Sequence, residues 1–107
     1  MPTTGPENRR SQRIFLKVPL VVWGDLGQPI RAHTAVVNQH GALILLPRPF
    51  ASERLLKVLN QDSGESVLCR VAWDGGEELP GLFKLGIEIL GEALHFWGSS
   101  YEAALDP

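Results

Sequence analysis

Every apolar run between Ile14 and Leu90 is short, rich in β-branched residues, and closed off by glycine, proline, asparagine or aspartate. None carries the long 3.6-residue period of an amphipathic helix. Several alternate with a period of two, the pattern of a half-buried strand. In residues 65–74 the alternation sets Val67, Cys69, Val71 and Trp73 inward, and Leu68, Arg70, Ala72 and Asp74 on the other face. In residues 83–89, Phe83, Leu85, Ile87 and Ile89 face in, against Lys84, Gly86 and Glu88. Residues 30–37 place Ile30, Ala32, Thr34 and Val36 on one face and Arg31, His33, Ala35 and Val37 on the other. Residues 42–46 are continuously apolar, which predicts a strand buried on both sides. Residues 55–60 form a further strand. Residues 14–23 form the first, in which Pro19 demands an edge position or a bend because it donates nothing to a ladder.

The breaks between these runs have turn chemistry. Gly24-Asp25-Leu26-Gly27 has hairpin length, Asn38-Gln39-His40-Gly41 offers two residue types that tolerate positive φ, and Gln61-Asp62-Ser63-Gly64 is a third turn. Residues 74–78 read as an exposed acidic loop, and residues 92–98 as a short helical turn holding Phe96 and Trp97. Six short strands without a long helix predict an all-β chain, a small six-stranded antiparallel barrel. Closing the barrel removes the exposed edges that such strands would otherwise present. With 107 residues, one domain is expected: an N-terminal arm over 1–7, the barrel over 8–98 and a C-terminal tail over 99–107.

Charge is unevenly spread. The net charge is −2, yet residues 1–17 carry Arg9, Arg10, Arg13 and Lys17 against Glu7, a balance of +3. The remainder holds six basic and eleven acidic residues, a balance of −5. An acidic body disfavours extended nucleic acid, which needs many neutralised phosphates on a broad basic face. Three arginines in Asn8-Arg9-Arg10-Ser11-Gln12-Arg13 instead suit a small anion, because guanidinium forks match phosphate oxygens and a guanine edge. Arg9 and Arg13 share a face in a helical turn and straddle a ligand in an extended arm. A solvated basic tail is the competing reading of the same residues.

Arg9-Arg10-Ser11-Gln12-Arg13 ahead of the first strand resembles the RxxxR motif of PilZ domains, bacterial six-stranded barrels that bind the second messenger cyclic di-GMP. The family's second motif, (D/N)xSxxG, aligns its glycine on Gly41, its serine on Asn38 and its acidic or amide residue on Val36. The Gly86-Ile87-Glu88-Ile89-Leu90 strand and the His95-Phe96-Trp97-Gly98 close are also similar to the family, so the resemblance spans roughly residues 8–98. It implies a regulatory, non-enzymatic module in which Arg9, Arg10, Arg13, Asn38 and Gly41 meet cyclic di-GMP and a downstream protein reads the result. Val36 forms no side-chain hydrogen bond, while Asn38 replaces the serine hydroxyl by an amide that both donates and accepts. One lost base contact costs about 0.5–1.5 kcal/mol, or up to ~3 if a buried polar group is stranded, which predicts binding weakened about ten- to a hundred-fold.

The remaining residues offer no competing chemistry. His33, His40 and His95 have no short paired spacing, so no metal is expected. No nucleophile elbow or glycine-rich phosphate loop is present, and no cofactor is implied. Cys69 is the single cysteine and reads as a buried, inert thiol. No apolar run approaches the ~18 residues of a membrane helix, and no signal-peptide core opens the chain, so no membrane insertion and a cytoplasmic setting are expected. A second reading is a nucleotide-independent adaptor of the same fold, docking a protein through an exposed patch around Phe96, Trp97 and Tyr101.

Overall fold

In the computed structural model, residues 12–24, 27–93 and 95–105 are described. The alternating runs become strands β1 (Ile14–Phe15), β2 (Pro19–Trp23), β3 (Pro29–Asn38), β4 (Gly41–Leu46), β5 (Leu55–Asn60), β6 (Ser66–Leu79) and β7 (Leu82–Ile89). Among the described residues one helix, α1 (Gly98–Ala104), follows them. β1 and β2 lie end to end along the same side of β3, both antiparallel to it, so they are two halves of one interrupted strand. From β2 the ladder runs through β5, β6, β7 and β4 and closes on the other side of β3. The result is a closed, six-stranded antiparallel barrel, as the period-two pattern predicts.

Thr34 makes the interruption. Its buried hydroxyl accepts a hydrogen bond from the Val18 backbone N–H at 2.8 Å and donates to the Leu16 carbonyl. The Thr34 N–H in turn donates to the Val18 carbonyl at 3.1 Å. A side chain thus stands in for the ladder where the strand bends, giving the Val18 N–H and the Leu16 carbonyl their partners. Pro19 begins β2, where a missing N–H leaves no gap in the ladder. β2 lies between β3 and β5, so the bend, and not an edge position, accommodates the proline.

Leu20, Val22, Ile44, Leu46, Leu56, Val58, Val71 and Leu85 fill the barrel interior. Cys69 is buried with them, and desolvation pushes its thiol up to about 12, far from reactive thiolate chemistry. Phe96, Trp97 and Tyr101 belong to the same core. They overturn the expected docking patch, since all three are buried. Residues 95–97 form the turn, and α1 follows in the stretch read as a tail. Phe96 and Trp97 meet edge to face at 4.7 Å, and the Asn60 side chain donates to the Phe96 carbonyl at 2.7 Å. Together these residues stopper the barrel end that carries the 39–40 and 61–64 turns. Among the described residues, no helix is long and apolar enough to cross a membrane.

Other details depart from simple alternation. β4 is not buried on both sides: Ile44 and Leu46 point inward, while Leu43 and Leu45 are half-buried. β6 continues to Leu79, so residues 74–78 are strand, and the hairpin turns at Pro80-Gly81, where Gly81 has φ 76°. Lys84 ties this extension across the hairpin by an ion pair to Glu78 at 2.8 Å. The register of β3 on β4 slips between Thr34 and Val36, and that of β6 on β7 slips between Val71 and Trp73. Each slip is a bulge, two residues facing one, and each reverses the faces beyond it. Val37, not Val36, therefore enters the core. Trp73 leaves it.

Candidate functional site

The two bulges assemble a surface. Directly opposed residues in an antiparallel ladder share a face. Across five strands the register reads Phe15, Val36, Leu43, Gly86, Trp73, all on the outside of the barrel. The next row inward reads Ile14, Val37, Ala42, Ile87, Val71, with Val37, Ile87 and Val71 buried. Beyond it lies a second outer row, Asn38, Gly41, Glu88, Arg70. Without the bulges Val36 and Trp73 would point into the core. With them, the two residues frame an outer pocket.

That pocket has a volume of about 650 Å³, within the ~300–1,000 Å³ range of small-molecule sites. Val36 and Leu43 form an apolar floor, Trp73 one wall, and Arg13, Asn38, His40 and Gly41 the opposite rim. Three of the five residues singled out from the sequence, Arg13, Asn38 and Gly41, are thereby brought together with Val36. Arg9 and Arg10, the 1–7 arm, and the central Asp25 and Leu26 of the first turn lie outside the described residues.

Each rim residue has a physical reason for its place. Asn38 holds the turn, because its Oδ1 accepts the His40 N–H at 2.9 Å. Its Nδ2 donates to the Gln12 carbonyl at 3.4 Å, fixing the backbone next to Arg13. Its own carbonyl accepts the indole N–H of Trp97 at 2.8 Å. Gly41 is not required for positive φ, as the turn chemistry suggested; neither Asn38 nor Gly41 adopts it. A Cβ at position 41 would instead collide with the Ile87 carbonyl of β7. Glycine is there because two strands approach closely beneath the rim.

Trp73 is half-exposed at 49%. Its indole lies across backbone that only small residues leave clear: a Cβ on Gly75 would meet the ring at 2.6 Å, and one on Gly86 would meet the Trp73 Cβ at 3.3 Å. Lys84 Nζ stands 5.7 Å from the centre of the ring. Sequence reasoning placed Trp73 in the core. The available signal was Gly86, an isolated glycine within a strand, which marks a bulge or a close approach.

The pocket also contains one carboxylate, Glu88, which would repel an anion. Arg70 engages it through Nε at 3.1 Å and through Nη2, while its Nη1 reaches Glu53 at 2.8 Å. These hydrogen bonds, first that to Glu88, raise the Arg70 pKa above its ordinary value and hold the Glu88 charge on the β6 side. The Arg13 side remains the basic end. No family model matches the chain, and no curated protein matches it.

Proposed function

We propose that this barrel is a PilZ-type, non-enzymatic regulatory module that binds cyclic di-GMP in the pocket between Arg13 and Trp73. The observation that carries the reading is the convergence on one outer pocket of Arg13, just before β1, with Val36 and Asn38 at the end of β3 and Gly41 at the start of β4. Arg13 supplies a guanidinium for phosphate or for the guanine edge, and Arg9 and Arg10 add two more from the same stretch. Trp73 offers its face to a purine; base–aromatic stacking contributes about 1–3 kcal/mol. Val36 and the engaged amide of Asn38 leave one base without the polar contacts of the complete motif, so affinity is reduced. A bacterial, cytoplasmic setting follows from this reading.

Titration calorimetry with cyclic di-GMP tests it. The wild-type protein is expected to bind, and Arg9→Ala/Arg13→Ala to lose at least tenfold in affinity. Absence of binding at high ligand concentration, or equal binding by both proteins, overturns the reading. A nucleotide-independent adaptor retains support from a different observation: Leu55 and Leu68 are exposed on the outer faces of β5 and β6, and exposed Leu90 donates its N–H to the Leu68 carbonyl. A partner captured with or without nucleotide, and lost on Leu68→Glu, would establish that role.

A further inference from the structure

Phe15 is 87% exposed, the most exposed of the large apolar side chains described. It does not pack against the core cluster, although its neighbours Ile14 and Leu16 do. Alternation explains why: Ile14 pairs with buried Val37, so Phe15 points outward next to Val36 and just beyond the pocket, whose floor Val36 forms. The same outer row ends at Trp73. Two exposed aromatic rings therefore stand at the ends of one register line, separated by the low side chains of Val36 and Leu43 and by Gly86. Four strand spacings of ~4.8 Å put them about 19 Å apart along the sheet. Arg13, on the same segment as Phe15, brings the positive charge to that end.

We propose that Phe15 is a second base-contacting wall, so that the site takes a two-base anionic guest along the Phe15–Trp73 row, one purine against each ring. This deepens the cyclic di-GMP reading and rests on it. The apolar floor between the rings suits the faces of purines and sugars better than their polar edges. Recognition at this row is by stacking and charge, with Arg13 reaching from the Phe15 end toward the phosphates of the central ring.

The test compares the wild-type protein with Phe15→Ala, Phe15→Tyr and Arg13→Ala, by calorimetric titration with cyclic di-GMP and, separately, with the single-base nucleotide GMP. Melting temperatures are measured alongside. Phe15→Ala is expected to weaken cyclic di-GMP binding about tenfold, the scale of one lost stack. It should leave the melting temperature unchanged, because the ring is exposed. Phe15→Tyr should bind as wild type. Loss on Phe15→Ala with retention on Phe15→Tyr, and GMP binding that is weak and indifferent to Phe15, support the proposal. If wild type and Phe15→Ala bind cyclic di-GMP equally while Arg13→Ala fails, the second wall is overturned and the nucleotide site stands. If the wild type does not bind, both are overturned.

Discussion

A methyl group at position 41 has nowhere to go. The Ile87 carbonyl occupies the space, and it belongs to strand backbone that cannot rotate aside as a side chain would. Gly41→Ala is therefore expected to cost about 1–3 kcal/mol through overpacking, read as a lowered melting temperature in the absence of any ligand. An unchanged melting temperature would mean that β4 and β7 are not so close. At this scale the sequence was legible in identity more than in cause. Asn38 and Gly41 stood out as turn residues, but the turn uses Asn38 as a side-chain acceptor and Gly41 as a spacer, and neither for left-handed backbone. Val36 and Trp73 were misplaced, because strict alternation carries no mark of where a bulge reverses it. A bulge is decided by how β3 meets β4 and how β6 meets β7, which is information shared between distant segments.

The strands themselves were legible because their inward faces are nearly uniform Val, Ile and Leu, and no competing helical period overlies them. The C-terminal helix was harder to place. It is a seven-residue element without a side-chain cap, held by burial of Tyr101 and by tertiary contacts that no local pattern encodes. One contact makes this end of the molecule sensitive to pH. His95 Nδ1 lies 2.8 Å from Glu102 Oε2 on α1, and this hydrogen bond, followed by the attraction of the same carboxylate, raises the His95 pKa above its ordinary value of about 6.5. The contribution is fully present below the unfolded value and is lost as pH rises through the raised folded value. His33 on β3 has the opposite sign. Burial, and then Lys17, lower its pKa, so stability falls as pH drops from about 6.5 through the depressed value. Melting temperatures between pH 5 and 8 should therefore lose their alkaline-side decline in His95→Gln and their acid-side decline in His33→Gln. Identical profiles for His95→Gln and wild type would show that the pair does not anchor α1.

Across the whole molecule, the outer pocket and the stoppered end of the barrel meet at one residue. Asn38 lines the pocket, holds the Gln12 backbone beside Arg13, and accepts the indole N–H of Trp97 from the core under α1. A ligand that draws Arg13 toward itself pulls on Gln12, and through the Asn38 amide on the carbonyl that Trp97 bonds. The three tryptophans report on this arrangement separately. Trp73 lies in the pocket, Trp97 is one hydrogen bond behind it, and Trp23 sits on β2 under Lys57, at 5.4 Å from its ring centre and outside the pocket lining. In a nitrogen-15 spectrum, cyclic di-GMP should shift the indole resonance of Trp73 by direct stacking and that of Trp97 by the altered acceptor, leaving Trp23 in place. Asn38→Ala, which keeps the backbone carbonyl but cuts the tether to Gln12 and the turn bond to His40, should at ligand saturation reduce the Trp97 shift relative to that of Trp73. Equal Trp97 shifts in both proteins would place the coupling elsewhere, and movement of Trp23 as much as Trp97 would mean that the barrel responds as a whole and not through this residue.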